Sequence, residues 1–301
     1  MARSSTQSVG SYALPSVTAV IELLKPITWF PPMWAFVCGV VASGVTTGVR
    51  WPLLLGGIAL TGPLVCGTSQ AVNDWFDRDV DAINEPKRPI PSGRLPGRSG
   101  LYVAIAWTLA SLVVAYLLGP WVLAAASLGL VLAWAYSMPP LRLKQNGWWG
   151  NSAVAACYEG LPWVTGTAVM LGSAPPGRVL LVAALYSIGA HGIMTLNDFK
   201  SVTGDRRMGI RSLPVQHGIV NAAAMACFIM ALPQLVVIGL LVVWGHVFYA
   251  AGIGLLLLAQ LYLMERLVDR PRELAPWYNA TGVSLYVTGM LVSAFALRAI
   301  G

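Results

Sequence analysis

The 301-residue sequence predicts an all-α, polytopic membrane protein, from its composition and from the way its apolar residues are grouped. The chain is 56% hydrophobic and only 10% charged. Soluble domains carry about 25% charged residues, so a water-exposed globule of this composition would lack polar surface. The apolar residues also gather into blocks long enough to cross a bilayer as helices. Nine spans are expected, at 27–46, 53–73, 101–118, 120–137, 151–170, 179–198, 221–241, 243–264 and 279–299. Residues 1–26 are expected to form a cytoplasmic N-terminal segment and 27–301 one nine-helix membrane domain. Residues 1–20 have no basic stretch leading into an apolar core and a small-residue cleavage site, so no cleavable signal is expected there.

Taken in order, the first block carries Trp29, Trp34 and Phe36, which suit an apolar substrate wall or ordinary packing. The second ends in the polar residues Thr68, Ser69 and Gln70 and runs into Asn73 and Asp74. The third and fourth are short and parted only by Gly119-Pro120, a pair that interrupts helices. Tyr136 closes the fourth, where an interfacial belt tyrosine is one expectation. Glu159 lies in the inner half of the fifth. The sixth carries His191 two turns before Asp198; a satisfied intramembrane histidine and a substrate ligand are both open there. Little more than Trp244-Gly245-His246 separates the seventh from the eighth, and the ninth closes the chain.

Nine spans with the N-terminus inside can be tested by charge. The inner segments then hold 16 of the 19 Lys and Arg residues, from Arg3 and Lys25 to Arg270 and Arg272. The outer segments hold only Arg50, Arg178 and Arg298, a strong positive-inside bias. The net charge of +7 is therefore read as membrane orientation; with no basic stripe along a soluble face, no nucleic-acid partner is expected. Cys38, Cys66, Cys157 and Cys227 lie in or beside apolar blocks with no C-x-x-C pairing, as small buried hydrophobes do.

Apart from Glu159, every Asp and Glu falls on or near the inner side, although orientation does not demand it. Span two ends in Gln70-Ala71-Val72-Asn73-Asp74-Trp75-Phe76-Asp77 and span six in Met194-Thr195-Leu196-Asn197-Asp198-Phe199-Lys200. Each Asn-Asp pair precedes a basic, proline-containing loop, Arg88-Pro89-Ile90-Pro91-Ser92-Gly93 and Arg211-Ser212-Leu213-Pro214. Four spans separate the motifs, an even number, so both face one side and a parallel four-helix repeat fits.

At 100° per residue, Asn73, Asp74, Asp77 and Asp81 occupy about a 100° arc of one helix face, whereas Asp79 points elsewhere. Carboxylates crowded near a bilayer repel one another and are costly to desolvate. A hard divalent cation is the simplest compensation, and Mg2+ takes one or two carboxylates together with water and phosphate oxygens. Asp198 and Asp205, seven apart, supply a second acidic edge, in line only if the helix continues through Gly204. Arg78, Lys87, Arg88, Lys144, Lys200, Arg206 and Arg207 suit the remaining phosphate charge. A solvated loop balancing its own charge accounts well for Asp79, Glu85, Arg94 and the 265–273 stretch, but poorly for two matching Asn-Asp helix ends.

These residues resemble the UbiA-type superfamily of intramembrane prenyltransferases, whose first signature, N-D-x-x-D-x-x-x-D, is matched by Asn73, Asp74, Asp77 and Asp81. The likeness covers almost the whole chain. Finer matches point to the chlorophyll and bacteriochlorophyll synthase branch: Leu24-Lys25-Pro26-Ile27-Thr28-Trp29, Asp81-Ala82-Ile83-Asn84-Glu85-Pro86, Ala135-Tyr136-Ser137-Met138-Pro139-Pro140 and Tyr158-Glu159-Gly160-Leu161-Pro162-Trp163. Asn197-Asp198-Phe199-Lys200 with Gly204-Asp205-Arg206 completes the set. Phe30-Pro31-Pro32-Met33-Trp34 resembles the bacteriochlorophyll form, since chlorophyll-type sequences tend to have Ile in place of Phe30. Thr203 stands where relatives usually carry Glu, so no metal contact carries over to that position.

The resemblance implies a UbiA-like helix bundle in a bacterial inner (intracytoplasmic) membrane, with the active site on the cytoplasmic side. It implies esterification of bacteriochlorophyllide or chlorophyllide by a geranylgeranyl or phytyl chain taken from its diphosphate, and association with photosynthetic assembly proteins. Mg2+ is expected on Asn73, Asp77 and Asp198, with Asp81 and Asp205 assisting. Asp77, Asp198 and Tyr136 are the expected catalytic residues; Arg88, Lys144, Lys200, Arg206, Phe30, Trp34 and His191 are expected at the substrates. The acceptor carboxylate is already ionised near neutral pH, so no general base is required. A quinone or haem-precursor prenyltransferase would keep the aspartates but not the Tyr-Glu-Gly-Leu-Pro-Trp element. A cation transporter would place acids near mid-bilayer and on both faces.

Overall fold

The computed structural model describes residues 16–300 apart from 47 and 49. Arg3 and most of the expected N-terminal segment lie outside the described residues. Ser16 opens α1 (Val17–Leu24) by accepting a hydrogen bond from the Ala19 N–H at 3.2 Å, a side-chain N-cap. Lys25 ends α1 in the left-handed region, φ 47°, and the chain then re-enters a helix as α2 (Phe30–Ala42).

α3 (Trp51–Ala59) passes through a π turn, Leu60–Cys66, into α4 (Gly67–Asn84). Pro63 inside that turn has no N–H to give the helical ladder, and the wider turn absorbs the defect. The three segments make one helix of 34 residues, about 50 Å at 1.5 Å per residue against roughly 30 Å of hydrocarbon. That length is enough to carry the Asp-rich end past the hydrocarbon if the other end stays at the opposite face. α5 (Ser99–Leu118) and α6 (Pro120–Ser137) meet at Gly119, whose φ of 126° is open to glycine alone, so this break falls where expected. α7 (Gly147–Ala155) and α8 (Leu161–Leu171) flank a second π turn, Ala156–Gly160. α9 (Gly177–Asp198), the short α10 (Val202–Arg207) and α11 (Leu213–His217), α12 (Ile219–Val243), α13 (Val247–Asp269), α14 (Pro271–Ala280) and α15 (Gly282–Ile300) complete the bundle.

The all-α expectation holds. Among the described residues, seven helices are long and apolar enough to span a membrane, so the expected nine is not reproduced on length and apolarity. The first expected span is the 13-residue α2, entered through Pro31 and Pro32, and the fifth is divided between α7 and α8 by the π turn. Both remain helical.

Glycines let the helices approach. A Cβ on Gly39 would strike the Trp163 carbonyl and one on Gly166 the Phe36 carbonyl, so α2 and α8 pack backbone to backbone. Gly192 meets the Ala226 carbonyl in the same way between α9 and α12. Close packing through small residues is what associates helices in lipid, where no hydrophobic force separates helix from tail. Gln234 of α12 and Gln260 of α13, both fully buried, exchange amide hydrogen bonds of 3.1 and 3.0 Å. Large apolar side chains such as Phe248, Leu255 and Leu258 stand outward on α13, as a lipid-facing surface requires.

Candidate active site

The ends of α4, α6 and α9 and the start of α7 meet around a polar cavity of about 220 Å³. Asn73 and Asp77 enter from α4, Tyr136 from α6 and Asn151 from α7; Asp198, at the end of α9, closes the far wall with Ser201, Asp205 and Ser212. Both Asn-Asp motifs therefore reach one site at one end of the bundle. The condition for Asp198 and Asp205 to lie in line, a helix running on through Gly204, is not met: α9 stops at Asp198, the chain turns, and α10 presents Asp205 again. Two contacts hold that loop on α7. Gly147 N–H donates to the Arg211 carbonyl at 2.8 Å, and Arg211 N–H donates to that of Gln145 at 2.9 Å.

Each acidic side chain has a defined partner. Asp205 Oδ2 accepts from Ser201 Oγ at 2.9 Å and Ser212 Oγ at 2.7 Å. Asp198 Oδ2 accepts from Asn151 Nδ2 at 3.1 Å. Asn73 Nδ2 donates to Ser137 Oγ at 3.1 Å, so its amide oxygen is the atom left for a cation. The Lys144 ammonium sits on Asp77 Oδ1, with Arg142 Nη2 at 3.8 Å. Burial pushes the Lys144 ammonium below the ordinary lysine value, against the opposing pull of Asp77. The donor set is entirely hard oxygen, with one cationic group already seated on a carboxylate; that chemistry suits a hard cation such as Mg2+, which Asn73, Asp77, Asp198 and Asp205 could hold, although among the described residues no three Asp, Glu, His or Cys side chains stand together closely enough to ligate one.

The other half of the first motif faces away. Asp74, only 1% exposed, lies 2.6 Å from Lys25 Nζ and 3.4 Å from Arg88 Nη1. Arg88 Nη1 also reaches Asp81 Oδ2 at 2.7 Å. Burial alone would lower the Arg88 pKa, but Asp74 and Asp81 outweigh it and hold it above its usual value. Asp81 is thus turned to Arg88 rather than to the cavity, and Arg88 braces two carboxylates rather than facing the site. Asp79 points to water, as expected, with its side chain 86% exposed.

Five further expectations fall away from the cavity lining. Lys200 is exposed in the turn after α9 and Arg206 is exposed on α10. Phe30 is exposed and stacks on Trp34 at 6.0 Å, and Trp34 Nε1 donates to the Val287 carbonyl at 3.1 Å. His191 is buried, its Nδ1 3.1 Å from Ser152 Oγ and its ring under Trp148 at 5.3 Å. Asn151, Ser201, Ser212 and Lys25 are the residues that sequence reasoning passed over. Asn151 carried a signal, an amide at the start of an apolar span, and Lys25 and Ser212 stood within quoted motifs without being read as site residues.

A second compartment of about 210 Å³ adjoins it, sharing Asn73 and Tyr136 and otherwise lined by Leu132, Ala133, Ala153, Val154, Cys157 and Tyr158 with the polar side chains of Ser69 and Gln70 at its wall. Beyond Cys157 lies a narrow slot between the two π turns.

Residues 28–291 match the model of the UbiA prenyltransferase family. The chain is 57% identical over 286 residues to the bacteriochlorophyll synthase 33 kDa chain of Cereibacter sphaeroides, covering 95% of each. It is 39% identical over 289 residues to the chloroplastic chlorophyll synthase of Oryza sativa, covering 92% of this chain and 76% of that one. Its fold matches that of a UbiA homolog from Archaeoglobus fulgidus bound to DMAPP and Mg2+, with a TM-score of 0.67 and 17% identity over 93% of this chain and 99% of that one. At that identity the likeness is one of fold.

Proposed function

The chain belongs to the UbiA prenyltransferase family, and from that premise we propose that it esterifies the propionate of bacteriochlorophyllide with a geranylgeranyl or phytyl chain taken from its diphosphate. The observation that carries this is the convergence of both Asn-Asp motifs on one cavity of oxygen donors that adjoins a mainly apolar compartment across Asn73 and Tyr136. A diphosphate head fits the first space and a hydrocarbon tail the second. The higher identity to the bacteriochlorophyll synthase of Cereibacter sphaeroides than to the chlorophyll synthase of Oryza sativa favours the bacteriochlorophyllide acceptor. Sixteen of 19 basic residues on the motif-bearing side favour a cytoplasmic site in a bacterial inner membrane.

Bound Mg2+ would supply charge neutralisation at the diphosphate leaving group. Lys144 is placed to move from Asp77 onto a phosphate oxygen, exchanging one anionic partner for another. Asn151 orients the Asp198 carboxylate, and Ser201 and Ser212 orient that of Asp205. Tyr136 lines both compartments, so its ring would stand beside the allylic carbon of a donor bound across them, where positive charge develops. The bond from that carbon to the diphosphate oxygen breaks and its electron pair leaves with diphosphate; a lone pair of the acceptor carboxylate forms the new carbon–oxygen bond. No proton moves, and no side chain in the cavity is asked to act as a base. Leu132, Ala133 and Val154 keep water from the tail side of the cation.

Membranes holding the protein are incubated with geranylgeranyl diphosphate, Mg2+ and either bacteriochlorophyllide or chlorophyllide, and esterified pigment is extracted into hexane. Product with bacteriochlorophyllide is expected, and Asp77→Asn should lower its rate by roughly a hundredfold or more. Absence of product with both pigments refutes the proposal. Full activity in Asp77→Asn removes the metal site from it.

A further inference from the structure

A cavity of about 380 Å³, larger than either compartment of the active site, lies in the corner between α13 and α14, lined by Arg266, Asp269, Arg270, Leu274 and Trp277. We propose that this corner binds a membrane phospholipid with a primary-amine headgroup, phosphatidylethanolamine, its phosphate on Arg266 and Arg270 and its ammonium on Asp269. Such a site stands whatever reaction the chain catalyses.

The corner is built by local chain geometry. Arg266, Asp269 and Arg270 recur at i, i+3 and i+4 and so share one face at the end of α13. At Arg270 the backbone leaves the helix, with φ −140° and ψ 68°, and Pro271 opens α14 with the φ that a helix start requires. The chain turns there. Leu274 and Trp277, three apart on α14, then bring an apolar wall to the charged face. α9 ends at the active site, α12 runs away from that end and α13 returns to it, so the corner lies at the same end of the bundle.

Its depth suits a headgroup. Leu255, Leu258 and Leu261 stand outward on α13, and the exposed Tyr262 follows them just before the charged residues begin. Aromatic side chains gather at that level, where hydrocarbon gives way to headgroups. Arg266 Nη2 donates to the Tyr262 hydroxyl at 2.7 Å, and its Cζ lies 5.0 Å from the ring centroid. The guanidinium is therefore held in place by a neutral partner.

Two positive side chains and one negative line this cavity without pairing to each other. Among the described residues, Arg266 has no carboxylate and Asp269 no Lys or Arg within 4.0 Å, whereas a loop that balanced its own charge would close such pairs. Arg270 reaches Glu273 at 3.3 Å, but with side chains 67% and 68% exposed the pair is weakened by water and yields to a phosphate. Two guanidinium groups one turn apart offer forked donors to phosphate oxygens. Asp269 then discriminates among headgroups. A phosphoglycerol headgroup would set an anion against it, and phosphocholine carries its positive charge on a nitrogen with no N–H. The ethanolamine ammonium has three donors and meets the carboxylate directly. Leu274 and Trp277 offer the glycerol and upper acyl carbons an apolar wall, which points to a lipid rather than to free phosphate. The volume lies within the roughly 300–1,000 Å³ of small-ligand pockets.

Purified full-length protein in detergent is titrated with dioleoyl phosphatidylethanolamine, phosphatidylcholine or phosphatidylglycerol, and retained lipid is counted by native mass spectrometry. Wild type should hold phosphatidylethanolamine about tenfold more tightly than the other two, the worth of one charged hydrogen-bonded contact. Asp269→Asn should remove that preference, and Arg266→Gln/Arg270→Gln should weaken retention of all three lipids by about tenfold or more. Arg178→Gln, at the opposite end of the bundle, should behave as wild type. Phosphoethanolamine and inorganic phosphate, which have no tails, should leave the lipid in place at equal concentration. Equal retention of the three lipids by wild type, a preference that survives Asp269→Asn, or displacement by inorganic phosphate at equal concentration overturns the proposal. Should the double arginine variant fail to fold, Asp269→Asn decides.

Discussion

Arg88 separates a substrate-binding arginine from a structural one, and Arg88→Met tests which it is. Its Nη1 bridges Asp81 at 2.7 Å and Asp74 at 3.4 Å, two carboxylates with side chains 9% and 2% exposed. Methionine keeps the apolar stem and removes the charge. Asp74 then retains Lys25, but Asp81 has no other ion-pair partner among the described residues. Breaking a buried ion pair by deleting one partner costs about 3–5 kcal/mol, and with Arg88 itself 32% exposed, water recovers part of that, leaving roughly 2–3 kcal/mol. Denaturation of purified protein in detergent should show that loss. The double variant Arg88→Met/Asp81→Asn should recover most of it, because the amide leaves no unpaired charge behind. A variant Arg88→Met of wild-type stability that no longer binds prenyl diphosphate would refute the bracing role and restore Arg88 to the substrate.

Asn151→Ala should leave expression intact and raise the Mg2+ concentration needed for half-maximal transfer by about 10–100-fold, because the Asp198 carboxylate loses the group that orients it; an unaltered Mg2+ dependence counts against that role. Gly166→Leu should cost more than about 2 kcal/mol and lower the melting temperature, since its side chain meets the Phe36 carbonyl across the α2–α8 contact; wild-type melting would show that the two backbones are not held that close. A third expectation concerns pH. The hydrogen bond from Arg94 Nη1 to Glu22 Oε2 at 2.5 Å ties α1 to the loop after α4 and depresses the Glu22 pKa below its ordinary 4.5. Its contribution is present in full above that ordinary value and lost as pH falls through the depressed one. Glu22→Gln should therefore melt slightly below wild type at neutral pH and converge with it in acid, and a gap that persists in acid refutes the ion pair.

Much of the site was legible because helical periodicity is local. Asn73, Asp74, Asp77 and Asp81 lie on one arc by rotation alone, and Asp79 lies off it. An arc that wide nevertheless meets two neighbours. Asn73 and Asp77 turn to the cavity, whereas Asp74 and Asp81 turn to Lys25 and Arg88. Choosing between them depends on the loop after α4 folding back, which no pattern within the helix records. The basic residues show the same limit. Lys144, Arg88, Lys200 and Arg206 look equivalent as charges beside the motifs, yet Lys144 alone of the four lines the cavity.

The all-α class, the two acidic helix ends and their placement on one side were determined by the sequence itself, since hydropathy and spacing act within a single helix or along the membrane normal. Tertiary structure alone decided which oxygens converge, that Asn151 and the two serines hold them, and that two π turns leave a slot beyond Cys157. Those outcomes join residues far apart in the chain, with sequence separations of 49 for Lys25 and Asp74 and 67 for Lys144 and Asp77. They follow from how whole helices pack, a sum over many contacts that leaves no local periodicity in the chain.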